Sequence, residues 1–278
     1  MNIRNFESGI ELENDGQLSV FFVGAGSAFS KNGFQTNFIL VKGRTHILVD
    51  CGTMCTYALE KVYGTDALSI ENLILTHPHA DHIGGVEELA LLGRYVRKRP
   101  LNLIISDEFK NILWKNSLSG GCGLSEEGPM SFGSYFNQIK PAVVRRRPFL
   151  IMETGFGGMD ITLFRTKHVT PHAGLFRGSL YSTGLVVDGR ILFTGDTQFN
   201  RPQLEWLVSH YKIEAIFHDC DVRGQAESVH TSYSQLRTLP DGIRKMMFLC
   251  HYNSAASECD ARGDGFAGFA EAGKYYDF

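Results

Sequence analysis

The segment Thr76-His77-Pro78-His79-Ala80-Asp81-His82 holds three histidines and one aspartate within six positions, directly after the apolar run Asn72–Leu75. Side chains of this kind repel one another when protonated and lose hydration when buried neutral, so grouping them is costly. A divalent cation removes both costs, because neutral imidazole and carboxylate are its preferred ligands. The segment therefore predicts a metal site at the end of a strand, and a histidine-rich surface turn is the alternative.

Further histidines and aspartates follow other apolar runs. They are His168, Asp196, the pair His218-Asp219 and His251, and His230 opens a helix-like segment. Taken alone, each is more often a loop cap than a metal ligand. Because strand ends on one edge of a sheet converge, the set as a whole predicts one cluster. His172 is an alternative to His168, which follows its strand more directly.

Short β-type runs alternate with amphipathic helices along most of the chain. The predicted strands are 18–23, 37–41, 46–49, 72–75, 101–105, 161–164, 180–187, 190–193, 215–217 and 246–249, and the predicted helices are 54–63, 86–94, 108–118, 203–211 and 232–239. Asp188-Gly189 has the composition of a two-residue hairpin turn. This pattern predicts an α/β (α+β) fold of two mixed sheets with helices outside, as a single domain over residues 1–278.

The ordered set of His-Xaa-His-Xaa-Asp-His, a lone His, a Gly-Asp and a final His resembles the metallo-β-lactamase superfamily. The resemblance implies an αββα sandwich that binds two Zn²⁺, with Mn²⁺ as the other possible metal. It assigns His77, His79 and His168 to one metal and Asp81, His82 and His251 to the other, with Asp196 bridging them. True lactamases carry Cys at the position of Asp196, so antibiotic hydrolysis is not implied.

Phe217-His218-Asp219-Cys220 and His230-Thr231-Ser232 are similar to motifs of the RNase Z-like phosphodiesterase branch. The loop at Gly24 and the turn at Asp50 also resemble that branch. RNase Z inserts a tRNA-binding arm between the lone His and the bridging Asp, whereas this interval is only 196 − 168 = 28 positions here. Branch members without the arm include the phage anti-Pycsar proteins, which hydrolyse cyclic nucleotides of a bacterial immune signal, and the chain resembles these most.

The resemblance implies a binuclear zinc phosphodiesterase that converts a 3′,5′-cyclic nucleotide to the 5′-monophosphate, and a homodimer. His230, oriented by Asp219, would protonate the departing ribose oxygen, and Asp81 would orient the nucleophile while binding metal. Asp50 and Thr76 are candidates for supporting the ligands. The alternatives are an RNase Z-like tRNA 3′-processing endonuclease, a non-catalytic zinc-binding module and a thioester hydrolase.

The formal charge of −3 argues against stable binding to nucleic acid or to an anionic membrane. The polar start, the lack of an 18-residue apolar run and six scattered cysteines lead us to expect a cytoplasmic protein without a membrane span. Residues 119–135 are a candidate lid or a surface insertion. Phe29 and Phe34 are candidates for stacking on a base or for packing. Structural or surface roles are expected for His46 and His210. The run Arg145-Arg146-Arg147 is expected to be a solvated edge, with phosphate or base binding as the alternative.

Overall fold

The structure is a computed structural model that describes residues 1–30, 33–170, 179–224 and 228–278. Its contacts divide the chain into two compact units. Unit 1 comprises Met1–Gly24, Gly33–Pro141 and Ala272–Phe278, and unit 2 comprises Ala25–Asn32 and Ala142–Glu271. That residues 1–278 act as a single domain stays a prediction.

Unit 1 contains an eight-stranded mixed sheet. In spatial order its strands are β1 (Asn2–Asn5), β18 (Lys274–Asp277), β2 (Ser19–Gly24), β3 (Asn37–Lys42), β4 (Thr45–Val49), β5 (Asn72–Ile74), β6 (Leu101–Ile104) and β9 (Phe136–Ile139). Neighbours from β1 to β4 are antiparallel, and those from β4 to β9 are parallel. All six residues of β2 are buried, as expected for an apolar strand covered on both faces.

The helices of unit 1 follow the parallel strands. They are α1 (Cys55–Tyr57), α2 (Ala80–Ile83), α3 (Val86–Leu91), α4 (Asp107–Leu113) and α5 (Ser119–Cys122), and π-helical turns extend three of them through Ala58–Val62, Leu92–Arg97 and Trp114–Leu118. The Ser106 hydroxyl accepts a hydrogen bond from Phe109 N at 3.2 Å, which fixes the start of α4. Short 3₁₀ turns occur at Ala67–Ser69 and Phe132–Ser134.

Unit 2 contains a second eight-stranded mixed sheet. Its order is β10 (Ala142–Arg145), β11 (Ile151–Phe156), β12 (Met159–Arg165), β13 (Thr183–Val187), β14 (Ile191–Phe193), β15 (Ala215–Asp219), β16 (Met247–Cys250) and β17 (Gly268–Phe269). Neighbours from β10 to β14 are antiparallel, and those from β14 to β17 are parallel. Because β14, β15 and β16 run in the same direction, their carboxyl ends meet at one edge of this sheet.

Three helices pack on this second sheet. They are α6 (Arg201–His210), α7 (Tyr233–Leu236) and α8 (Asp241–Arg244), and a 3₁₀ turn follows at Ser254–Glu258. Leu204 and Leu207 of α6 share a buried apolar cluster with Leu192 of β14 and Ile216 of β15. Burial of this apolar surface holds the edge that carries the β14 and β15 carboxyl ends in a fixed position.

The predicted class of two mixed sheets with helices is confirmed, and so is the hairpin between β13 and β14, where Asp188 and Gly189 both have positive φ of 52° and 64°. All ten predicted strands and five predicted helices have a counterpart, with bounds shifted by a few residues. Strands β1, β9, β10, β11, β17 and β18 were not predicted, nor were the two-residue strands β7 (Leu124–Ser125) and β8 (Gly128–Pro129). In the part of the chain that the structure describes, no helix is long and apolar enough to cross a membrane.

Residues 119–135, the candidate lid, form α5, the hairpin of β7 and β8, and a 3₁₀ turn. Cys122, Phe132 and Tyr135 within it are buried. The Phe132 and Phe136 rings lie 5.0 Å apart, between centroids, and Tyr135 lies 6.2 Å from Trp114. These aromatic side chains therefore pack within unit 1, and a lid role for the segment stays a prediction.

Candidate functional site

In unit 1, the loop that follows β5 brings four of the predicted metal ligands together. His79 precedes the first turn of α2, and that turn carries Asp81 and His82. His77 Nε2 lies 3.1 Å from His79 Nδ1, and His82 Nε2 lies 3.2 Å from an Asp81 oxygen. The His77 and His82 rings are 4.0 Å apart between centroids. His77, Asp81 and His82 are buried, so the loop holds imidazole and carboxylate groups close together away from water.

Asp50, in the turn after β4, holds this loop. Its carboxylate accepts hydrogen bonds from Thr76 N, from the Thr76 hydroxyl and from His82 Nδ1, each at 2.7 Å. The Thr76 hydroxyl gives its only proton to Asp50, so it accepts from His77 Nδ1 at 3.0 Å. Both His77 and His82 thus carry their proton on Nδ1, which leaves Nε2 as the nitrogen with a lone pair. Metal-binding histidines are usually oriented in this way.

Asp50 also has an unusual backbone conformation. Its φ is +60°, in the left-handed region that a non-glycine residue adopts only when its surroundings hold it there. Burial raises the pKa of the Asp50 carboxyl overall, although His82 and Thr76 act in the opposite direction. The two hydrogen bonds that Thr76 donates to the carboxyl group favour its ionised form.

In unit 2, five predicted site residues lie at or after the ends of β12, β14, β15 and β16, or shortly before α7. Ligand atoms of Asp196, Asp219, His230 and His251 all lie within 4.8 Å of one another. Asp196 Oδ2 is 3.4 Å from His251 Nε2 and 3.9 Å from His168 Nε2. His168, Asp196, Asp219 and His251 are buried.

The orientation of His168 also fits a metal ligand. Its Nδ1 donates to Val229 O at 3.0 Å, which leaves Nε2 as the atom directed toward Asp196. Burial lowers the pKa of His168, an effect that exceeds the opposing attraction of Asp196. The ring is therefore neutral near pH 7, which is the form that binds a cation.

His230 differs from the other four residues of unit 2 in its exposure. Its side chain is 22% exposed, whereas that of Asp219 is 1% exposed. His230 Nδ1 donates to Asp219 Oδ2 at 2.9 Å, and the same oxygen accepts from Thr197 N at 2.9 Å. Burial lowers the pKa of His230, but the neighbouring Asp219 outweighs it, so the pKa is raised overall. Burial likewise raises the pKa of Asp219 and the charge of His230 outweighs it, so that pKa is lowered.

The donor groups in both units are of the types that bind a divalent cation. Three imidazoles and one carboxylate approach one another in unit 1, and an Asp196 oxygen faces two histidine nitrogens in unit 2. Nitrogen and oxygen donors of this kind suit zinc or manganese. His251 has a φ of +58°, so it shares with Asp50 the left-handed backbone that is uncommon for a non-glycine residue. The division of these residues between two metals stays a prediction.

The remaining predicted residues lie in various environments. Phe29 is 90% exposed, and Phe34 is partly buried with a φ of +55°. His46 Nε2 bonds to Ser69 O at 2.9 Å, and His210 stacks on Trp206 with centroids 3.8 Å apart. Arg145, Arg146 and Arg147 are exposed. His172 lies outside the described residues.

The sequence did not reveal a set of buried hydroxyls around Asp196. The sequence assigns no role to Thr166, Ser182, Thr194 or Thr197. All four side chains are buried. The available signal was the Thr-Gly-Asp-Thr sequence at 194–197, in which two small hydroxyl residues flank a candidate ligand.

Comparison with known proteins identifies relatives over most of the chain. A family model described as "Anti-Pycsar protein Apyc1" matches residues 18–276, a span that includes every predicted metal ligand. The Apyc1 of Paenibacillus xerothermodurans is 29% identical over 261 residues, which cover 94% of this chain and 98% of that protein. The Apyc1 of Bacillus phage vB_BsuM-Goe3 is 30% identical over 263 residues, covering 91% and 95%.

A solved structure shows the same fold. The metallo-β-lactamase fold protein YhfI from Bacillus subtilis superimposes with a TM-score of 0.69, covering 94% of this chain and 100% of that chain, at 15% identity. At this identity the likeness concerns the fold alone. The predicted metallo-β-lactamase fold is therefore confirmed.

Proposed function

Because the chain belongs to the anti-Pycsar protein Apyc1 family, we propose that it is a metal-dependent phosphodiesterase that hydrolyses small 3′,5′-cyclic nucleotides to 5′-monophosphates. The family match over residues 18–276 carries the proposal, since it spans both groups of site residues. The word anti-Pycsar in the names of the relatives supports an action against a cyclic-nucleotide immune signal.

In the proposed site, His77, His79 and His168 would hold one cation, and Asp81, His82 and His251 would hold a second. Asp196 would be a ligand of both, and zinc or manganese would suit these donors. The Nδ1 contacts of His77, His82 and His168 support these three residues as ligands, because each contact favours the tautomer in which Nε2 can bind a cation.

When bound, a pair of such cations lowers the pKa of a water molecule and neutralises charge on the phosphate. The residues of this chain have three further tasks in the proposal. Asp81 orients the attacking water through its second carboxylate oxygen. His230 donates a proton to the departing O3′ of the ribose. Asp219 keeps the His230 ring in place through the 2.9 Å contact at Nδ1, so that Nε2 is the atom that donates.

The exposure of His230 supports this assignment over one as a metal ligand. A general acid must reach the leaving group, and its side chain is 22% exposed, against 4% for His251. Its Nδ1 is already bonded to Asp219. The charge on Asp219 stabilises the protonated imidazole, which is the form that a general acid needs.

The exposed ring of Phe29 is proposed to stack on the nucleotide base. It lies in a turn closed by Ser30 N bonding to Ser27 O at 2.9 Å, and Ser27 N bonds to Tyr252 O at 2.9 Å, next to His251. Phe34 is a weaker candidate, because its side chain is partly buried. We also propose a homodimer in the cytoplasm, and the six free cysteines support a reducing compartment.

The test is a substrate panel for the metal-loaded protein. The panel contains 3′,5′-cyclic nucleotides of each base, bis-p-nitrophenyl phosphate and a precursor tRNA. The proposal predicts rapid hydrolysis of at least one cyclic nucleotide. It also predicts no activity in Asp196→Ala and full activity in His210→Ala, a matched change of an exposed histidine in unit 2. Cleavage of precursor tRNA with inert cyclic nucleotides would support the RNase Z-like alternative, and a steep fall in affinity with salt would accompany it.

A further inference from the structure

Three consecutive carbonyl groups around Asp196 accept hydrogen bonds from buried hydroxyls. The Thr194 hydroxyl donates to Gly195 O at 2.9 Å, and the Ser182 hydroxyl donates to Asp196 O at 3.0 Å. The Thr231 hydroxyl donates to Thr197 O at 2.9 Å. The short segment Gly195–Thr197 is therefore held at each residue by a side chain, although it belongs to no helix or strand.

A fourth hydroxyl supports the contact at Asp196. Thr166 Oγ1 lies 2.9 Å from Ser182 Oγ and 3.3 Å from Asp196 O. Each hydroxyl has one proton, and the two shorter contacts are both satisfied when Thr166 donates to Ser182 and Ser182 donates to the Asp196 carbonyl. We call Thr166, Ser182, Thr194 and Thr231 the hydroxyl cradle. Their exposed fractions are 1%, 0%, 5% and 0%, so water does not compete for these bonds.

The hydroxyl cradle also contacts the backbone of Asp219, which is proposed to act with His230 in donating the proton. Thr194 Oγ1 accepts from Asp219 N at 3.0 Å, and Thr197 N donates to the Asp219 carboxylate at 2.9 Å. Thr231 follows His230 directly in the sequence. One set of small side chains thus fixes the backbone on both sides of Asp196 and ties it to the strand that carries Asp219.

We propose that the hydroxyl cradle positions the Asp196 carboxylate for metal binding, with Ser182 and Thr166 as the principal positioning residues. A carboxylate has the correct distance and angle to its cation only if its backbone is held in place. Gly195 has a φ of +58°, so the chain turns sharply at this point and small shifts there redirect the Asp196 side chain. The inference rests on the proposed function only in taking Asp196 as a metal ligand, and it requires no particular substrate.

The test measures metal affinity directly, by competition of the purified chain with a chromophoric chelator for Zn²⁺. Ser182→Ala and Thr166→Val should weaken binding by about 10- to 100-fold, the usual effect of losing a group that orients a ligand. Because Asp196 is proposed to contact both cations, both equivalents should weaken together. Thr166→Ser keeps the hydroxyl and should bind as the parent does. Thr162→Val, which removes a buried hydroxyl four residues earlier that contacts Tyr211, is the matched control.

Two further readouts separate positioning from loss of stability. The visible spectrum of the Co²⁺-loaded chain should change in Ser182→Ala and Thr166→Val and stay constant in Thr166→Ser and Thr162→Val. Thermal midpoints in excess EDTA should be similar for Thr166→Val and Thr162→Val. Unchanged affinity and spectra in both Ser182→Ala and Thr166→Val would overturn the inference, as would an equal loss in Thr162→Val, a failure of Thr166→Ser to restore binding, or a parent chain that binds no metal. A parent that binds metal but hydrolyses no cyclic nucleotide would contradict the proposed substrate and leave this inference standing.

Discussion

Replacement of His230 by alanine tests the proton-donation step of the proposed mechanism. The ring is fixed at Nδ1 by Asp219 at 2.9 Å and is the most exposed of the five site residues in unit 2. A positioned general acid contributes about 10²- to 10⁴-fold to the rate. His230→Ala should therefore lower kcat on a cyclic nucleotide by that factor, or about 2.7–5.5 kcal/mol in the barrier.

The assay compares two leaving groups under the same conditions. Departure of a ribose O3′ alkoxide requires protonation, whereas p-nitrophenolate leaves as a stable anion. The loss in His230→Ala should therefore be much smaller on bis-p-nitrophenyl phosphate than on the cyclic nucleotide. Asp219→Asn should show the same pattern with a smaller loss, and the double variant should be little worse than His230→Ala, because the two residues act as one unit. His210→Ala is the matched control.

Metal content decides between two roles for His230. Its ring lies 4.7 Å from that of His251 between centroids, and its Nδ1 is 3.9 Å from Asp196 Oδ2. Because the ring lies this close to the proposed ligands, metal binding is the alternative role. The proposed mechanism predicts that His230→Ala retains both metal equivalents. Equal losses on the two substrates, or a variant that has lost metal, would refute the assignment of His230 as the acid.

Three other predictions concern metal binding and stability. Asp196→Ala should lose metal from both sites in elemental analysis, and full retention would contradict its bridging role. Removal of metal with EDTA should lower the free energy of unfolding by about 2.7 kcal/mol for each bound cation, relative to protein kept at 100 times the Kd of the metal, and an unchanged unfolding curve would contradict metal binding by the folded chain. Burial lowers the pKa of His46, so its contribution to stability is present above its usual pKa of 6.5 and is lost as the pH falls below that value. His46→Gln, which can still donate to Ser69 O, should therefore lose less stability between about pH 7 and pH 5 than the parent, and identical pH profiles of unfolding would contradict this.

The residues of the candidate site could be proposed from the sequence because ligand chemistry is local. His77 to His82 follow a buried strand within one short segment, and Asp196, Asp219 and His251 each lie at or just after the end of a strand whose apolar run is visible in the sequence. The Asp188-Gly189 turn was also predictable, because few residue pairs tolerate two positive φ values.

The unpredicted features depend on contacts between distant parts of the chain. Strand β18 pairs with β1, so Asp277 lies opposite Asn2. The residues near one of these positions contain no signal that predicts pairing with the other. Strand β10 is exposed at all four residues and lacks the alternation that marks a half-buried strand.

The hydroxyl cradle could not be predicted from the sequence for a related reason. Ser182 is 16 positions from Thr166 and 14 from Asp196, and small polar residues give no periodic signal. Their role depends on the pairing of β12 with β13, which brings Thr166 beside Ser182: Thr166 N bonds to Ser182 O at 3.0 Å. Such supporting residues can be identified only when the pairing of the strands that carry them is known.

The central claim is that the chain opens the phosphodiester of a cyclic nucleotide at the bond to O3′. The most direct test is to incubate the metal-loaded protein with a 3′,5′-cyclic nucleotide and separate the products by chromatography, with Asp196→Ala as the inactive control. Cleavage of the P–O3′ bond by water leaves a free 3′-hydroxyl, so the account predicts the 5′-monophosphate as the product. Formation of the 3′-monophosphate, or a cyclic nucleotide that remains intact beside efficiently cleaved precursor tRNA, would contradict it.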